Sequence, residues 1–131
     1  MARSTEKQSS QHDGPHILVI EDDPDIRTLI GMALMDEGYR VEQAPDGLSA
    51  LDMLDHSHPR MILLDMKMPG MDGWEFLRRY RELYGRRAHV LVITAAHDTS
   101  SPPPGVDADS YLSKPFELAE LLDRVATTLR Q

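Results

Sequence analysis

Met61-Ile62-Leu63-Leu64-Asp65-Met66-Lys67-Met68-Pro69-Gly70-Met71-Asp72-Gly73 is the stretch on which the fold turns. A short apolar run closed by turn residues reads as a buried strand. This one ends on a carboxylate, Asp65, and then breaks into a Pro-Gly loop. An acid at the tip of a buried strand loses hydration, so its surroundings must supply cations or hydrogen-bond donors. In an open parallel sheet the carboxyl ends of the strands are where ligands bind. Taken alone, one Asp after one strand is better read as a cap of the following turn, because short motifs often match by chance. The rest of the chain overturns that reading.

On the amino-terminal side, Ile17-Leu18-Val19-Ile20 is another apolar run, and it meets Glu21-Asp22-Asp23 directly. Asp23 before Pro24 reads as the cap of a helix, with Ile26, Leu29, Ile30 and Ala33 as its apolar stripe and Gly38 at its end. Capping needs one acid, so Glu21 and Asp22 are left over at a strand tip. Tyr39 to Ala44 alternates as a second strand nearer an edge. Pro45-Asp46-Gly47 turns into a helix marked by Leu48, Leu51 and Leu54. His56-Ser57-His58-Pro59 reads as a solvated loop rather than a metal pair, since no third ligand accompanies it. The four-residue spacing of His12 and His16 carries no helix pattern and no metal-binding weight.

On the carboxyl-terminal side, Asp72-Gly73 opens a helix with Phe76, Leu77, Tyr80 and Tyr84 as core candidates. Its arginines, Arg78, Arg79, Arg81, Arg86 and Arg87, are interleaved with Glu75 and Glu82, which reads as a salt-bridged solvated face rather than a nucleic-acid patch. Val90-Leu91-Val92-Ile93 is a strand ending on Thr94, and Ser110 to Ser113 a shorter one ending on Lys114. Pro115 starts a last helix with Leu118, Leu121, Leu122, Val125 and Leu129 on one face. Strands alternating with helices predict a five-stranded parallel α/β domain with helices on both faces of the sheet. At the carboxyl edge of that sheet stand Glu21, Asp22, Asp65, Thr94 and Lys114.

Composition narrows the chemistry. With no cysteine there is no thiolate site or disulfide framework. A net charge of −8 disfavours direct nucleic-acid binding. No run is long enough to span a membrane and no signal peptide is visible, so the cytoplasm is the expected compartment. Residues 1–14 read as a disordered tail, and 15–131 as one domain, too short at 131 residues for a separate effector. Clustered carboxylates need a cation to stay ionised, and an all-oxygen ligand set favours Mg²⁺, with Mn²⁺ as a substitute. Lys114 would add a second positive charge and Thr94 a neutral donor, an arrangement suited to phosphoryl transfer onto Asp65.

With these residues in view, the chain resembles the receiver domain of two-component response regulators, in its stand-alone, chemotaxis-type form, from about Ile17 to Arg130. The motifs that carry the resemblance are Val19-Ile20-Glu21-Asp22-Asp23, Leu64-Asp65 through Gly73, Thr94-Ala95 and Lys114-Pro115-Phe116. The resemblance implies a flavodoxin-like sheet of order 2-1-3-4-5. It implies that Asp65 accepts phosphate from a sensor histidine kinase or a histidine phosphotransfer protein. Asp22, Asp65 and the backbone carbonyl of Lys67 would hold Mg²⁺, and Glu21 would act through water. Thr94 and Lys114 would contact the phosphoryl group, and Tyr111 stands where the family has a rotating aromatic switch. Asp23, Ala95 and Pro115 support the site, and the Lys114-Pro115 bond would be cis. It further implies a monomer or weak dimer controlling a separate partner, with no catalytic turnover beyond self-phosphorylation and autodephosphorylation.

One departure stands out: Ser100-Ser101-Pro102-Pro103-Pro104-Gly105 occupies the span where the family carries a fourth helix. Proline inside a helix costs about 3 kcal/mol, so that helix is expected to be shortened or absent, and the span from His97 to Asp109 a mobile loop. Two other readings compete. One is a receiver-like interaction module that works without phosphorylation. The other is a Mg²⁺-dependent phosphatase of the haloacid-dehalogenase type, which wants a second acid where this chain has Lys67.

Overall fold

The computed structural model describes residues 14–68, 70–95 and 106–130. Its strands are β1 (His16–Ile20), β2 (Arg40–Ala44), β3 (Met61–Asp65), β4 (His89–Ala95) and β5 (Ser110–Lys114). Its helices are α1 (Pro24–Asp36), α2 (Gly47–Leu54), α3 (Gly73–Tyr84) and α4 (Leu118–Leu129). All strand pairs are parallel and the order is β2-β1-β3-β4-β5, as the sequence predicts. The strand that ends on Asp65 therefore lies at the centre.

Strand pleating sorts the core into two layers, because successive side chains leave opposite faces. Leu18, Ile20, Ile62, Leu64, Val90 and Val92 pack with α2 and α3. Ile17, Val19, Met61, Leu63 and Leu91 pack with α1 and α4. Burial on both faces explains why β1, β3 and β4 are near-continuous apolar runs. No helix of the described residues is long and apolar enough to cross a membrane.

Tyr80 shows how tightly the α3 layer is built. It is 1% exposed, its ring stacks on Phe76, and its hydroxyl accepts the buried Ala88 N–H at 3.0 Å. Tyr80→Phe is expected to cost about 1–3 kcal/mol, since the amide loses its acceptor while the packing stays. Urea unfolding measures this, and a loss below about 0.5 kcal/mol would mean that the amide finds another partner.

The structure corrects several local expectations. Ile26 and Leu29 do not face the core: they are 37% and 57% exposed, and α1 buries Ile30, Gly31 and Leu34 instead. Leu48 is likewise 63% exposed, with Gly47, Ala50 and Leu54 turned inward on α2. Gly31 lies against the Gln43 side chain of β2, and Gly47 against Met71 and Phe76, so the small residues face inward and the larger side chains outward. Tyr84 is only half-buried at the end of α3. Pro115 does not start the last helix. Glu117 caps it in an extended conformation, so the helix begins at Leu118. His16 belongs to β1 and is buried, paired with Glu42 across the sheet.

The described residues contain no helix between β4 and β5, and Val106–Asp109 is irregular. Residues 96–105, where the family's fourth helix is expected to be shortened or absent, lie outside the described residues, as do residues 1–13. The described chain starts at Gly14, whose N–H donates to the Gly38 carbonyl at 3.2 Å.

Candidate functional site at the carboxyl edge of the sheet

The acidic pair is presented by a strand-to-helix turn with little freedom. The Glu21 N–H still bonds the Ala44 carbonyl of β2 at 3.1 Å, and the Glu21 carbonyl accepts Arg27 Nη1 from α1 at 2.8 Å. Asp23 closes the turn as the cap of α1, its carboxylate accepting the Asp25 and Ile26 N–H groups. Asp23 is thus the structural acid of the three, as its position before Pro24 predicts. Glu21 turns inward to 3% exposure, while Asp22 remains exposed.

Asp65, the last residue of β3, is 4% exposed and meets that pair. One carboxylate oxygen from each of Glu21, Asp22 and Asp65 lies within 4.8 Å of the others. Lys114 Nζ stands 3.5 Å from Asp65 Oδ1, and the Lys67 N–H donates to the same oxygen at 3.3 Å. Three acids at this spacing repel one another. Burial, reinforced by hydrogen bonding to Asp65 and by its charge, pushes the Glu21 carboxyl up to about 8, against the opposing pull of the Asp23 N–H and Lys114.

The loop after Asp65 depends on two glycines. Gly70 has φ of 74°, where a side chain would be strained. The Gly73 N–H donates to the Met66 carbonyl at 3.2 Å, and a Cβ there would stand 2.8 Å from Met66 Cα. Glycine therefore lets α3 begin directly against the strand tip.

Register carries the remaining residues to the same edge. Asp65 pairs with Ile93, one residue before Thr94, while Thr94 pairs with Ser113 and Ala95 with Lys114. The Lys114-Pro115 bond is cis. Tyr111 stays apart: it is 40% exposed on β5, and its hydroxyl accepts the Ala108 N–H at 3.3 Å. Beside the acids opens a cavity of 540 Å³ between α1 and the β5–α4 connection, walled by Ile26, Leu29, Phe116 and Leu118 above Glu21 and Lys114. Neither Arg27 nor the outward Ile26 and Leu29 is recognisable from sequence pattern, since both depend on how α1 is rotated on the sheet.

The donor set fits a hard divalent cation. It is all carboxylate oxygen, with two of the three acids almost fully buried and in need of neutralisation. Glu21, Asp22 and Asp65 are the residues that could hold it.

Comparison with known proteins agrees with this geometry. The family model for the response regulator receiver domain matches residues 17–126. The response regulator MprA of Mycobacterium sp. (strain KMS) is 42% identical over 117 residues, covering 88% of this chain and 50% of that protein. The chain thus spans about half the length of the curated relatives it matches. A CheY-like receiver domain protein from Methanospirillum hungatei JF-1 superposes with a TM-score of 0.81 at 26% identity, over 89% of this chain and 94% of that one. The receiver domain of sensor histidine kinase PA1611 from Pseudomonas aeruginosa, solved with magnesium coordinated in its active site cleft, superposes with a TM-score of 0.77 at 32% identity, over 87% and 96%. With acids, lysine and sheet order all in their places, the chain belongs to the receiver domains of two-component response regulators.

Proposed function

We propose that Asp65 accepts a phosphoryl group from the phosphohistidine of a sensor histidine kinase or histidine phosphotransfer protein in the cytoplasm, and that the resulting change controls a separate partner protein. The observation that carries this reading is the buried Asp65 carboxylate facing Lys114 at 3.5 Å beside Glu21 and Asp22. An Asp65 oxygen forms the bond to phosphorus as the phosphorus–nitrogen bond of the donor breaks, and the imidazole leaves as the neutral base once protonated. Asp22, Asp65 and the Lys67 carbonyl would hold Mg²⁺, or Mn²⁺ in its place, with Glu21 acting through water. When bound, the ion neutralises charge on the phosphoryl oxygens.

Lys114 supplies the second positive charge from the end of β5, and Thr94, near the end of β4, would donate its hydroxyl to a phosphoryl oxygen. Tyr111 serves as the aromatic switch. Lys67 stands where a haloacid-dehalogenase-type phosphatase needs its second acid, which favours the acceptor reading over the phosphatase one.

Incubation with acetyl phosphate, with and without Mg²⁺, tests the reading. One phosphoryl group per chain, lost when EDTA is present, is the expected result, and labelling indifferent to EDTA would overturn it. Lys114→Ala should leave Mg²⁺ affinity within about threefold of wild type yet uncouple phosphorylation from conformational change, because this cation acts on the phosphoryl group and not on the metal. Equal changes in the Tyr111 environment in mutant and wild type on phosphorylation would refute that role.

A further inference from the structure

The segment entering β5 is bolted to the far end of α3. Val106 is buried in the core layer of α2 and α3. The Asp109 carboxylate accepts the Val90 N–H at 2.8 Å, Arg81 Nη2 at 3.1 Å and Arg86 Nη1 at 3.0 Å. The Asp107 carboxylate accepts Arg86 Nη2 at 2.7 Å, and its carbonyl accepts Arg81 Nη2 at 3.1 Å. Burial acts to lift the Asp109 carboxyl, but the Val90 amide and Arg81 outweigh it and hold the group below its ordinary range. The Arg81 side chain is only 12% exposed, so its pairing is more strongly felt than a surface ion pair.

Ala108 lies between the two clamped acids, and its N–H is the donor to Tyr111 Oη at 3.3 Å. The main chain of Tyr111 is fixed independently. It pairs with Val92 in the sheet, and its carbonyl accepts Arg124 Nη2 from α4 at 2.6 Å. What can move is the ring, and the bond from Ala108 holds it on the outer side of the sheet.

We infer that the clamp of Arg81 and Arg86 on Asp107 and Asp109 is a latch for Tyr111: by fixing the Ala108 N–H it keeps the ring outward and sets how readily it turns. The inference rests on the reading of Tyr111 as the switch. It gives the carboxyl-terminal end of α3, remote from Asp65, control over the responsiveness of the site. Releasing the latch removes one hydrogen bond from the outward state only, which shifts the two-state population by about three- to tenfold.

The test uses the full chain labelled with 3-fluorotyrosine. Its four tyrosines give separate fluorine signals, and Tyr111→Phe identifies the one from Tyr111. Arg86 is exposed, so Arg86→Ala leaves the core intact. In the unphosphorylated protein Arg86→Ala should move the Tyr111 signal toward its phosphorylated position, and Arg86→Lys should partly restore it. Arg86→Ala and Tyr111→Phe should each speed acceptance from acetyl phosphate by about the same three- to tenfold, and the double variant should add nothing further. An unmoved Tyr111 signal in Arg86→Ala, or additive rates in the double variant, would overturn the latch. If no variant accepts phosphate, the acceptor reading fails, and the fluorine signal of the unphosphorylated protein still decides the latch.

Discussion

Asp65→Asn is expected to accept no phosphoryl group from acetyl phosphate and Mg²⁺ under conditions that label the wild-type chain fully. The amide oxygen can still accept the Lys67 N–H, and the side chain keeps its size in a site that is 4% exposed. The fold should therefore persist. What disappears is the nucleophile and one of three mutually repelling charges. Without metal the variant should be at least as stable as wild type at pH 8, because the charge of Asp65, which adds to burial and hydrogen bonding in raising Glu21, is gone. Loss of labelling together with retained stability identifies a chemical defect rather than a folded-state one. Labelling that persists, or that maps to Asp22, would show that Asp65 is not the acceptor.

The second large effect is on pH dependence. The folded-state value for Glu21, about 8, lies above the ordinary carboxylate value of 4.5 that it has when unfolded. Between those values the folded protein binds a proton that the unfolded chain has already released. Stability of the metal-free protein must then fall as pH rises from about 4.5 to about 8. A divalent cation reverses this, since it favours the ionised carboxylates and displaces the proton. Mg²⁺ affinity is expected to rise by up to about tenfold per pH unit, about fiftyfold in all from pH 6 to pH 8, and to level off above that. Titration calorimetry in buffers of different ionisation enthalpy measures both the affinity and the released proton. Glu21→Gln should flatten the profile. A wild-type affinity unchanged between pH 6 and pH 8 would show that no proton at Glu21 competes with the ion.

Both predictions concern residues legible in the sequence, and the reason is local. A strand buried on both faces must be an apolar run, so an acid at its tip is conspicuous, as with Ile20-Glu21 and Leu64-Asp65. Caps are equally local. Asp23, marked as a cap by its place before Pro24, and Asp46 and Asp72, in the turns that open α2 and α3, each bond amides two or three residues ahead. The same holds for the ion pairs of Glu75 with Arg78 and Arg79 and of Glu82 with Arg78, one helical turn apart. This interaction holds the Glu75 carboxyl down to about 2 through hydrogen bonds from Arg78 and Arg79.

Arg81 in the last turn of α3 and Arg86 just beyond its end fall in the same charged run, yet the structure takes them out of that local face. Their partners are Asp107 and Asp109, 21 to 28 residues away, reached because β4 and β5 return the chain beside α3. His16 and Glu42 meet because β1 and β2 are neighbours, and Arg27 reaches the Glu21 carbonyl because α1 folds back over the strand tip. Ile26, Leu29 and Leu48 fit an apolar stripe by spacing alone, but α1 turns Gly31 toward Gln43 of β2 and α2 turns Gly47 toward Met71 and Phe76, leaving the larger side chains exposed. By itself, then, the sequence determined the elements, their caps and the acids at the strand ends, because each is set by periodicity or by neighbours within one turn. Only the tertiary structure decided helix rotation and the long-range partners of charged side chains, because these follow from sheet order and packing distance rather than from spacing along the chain.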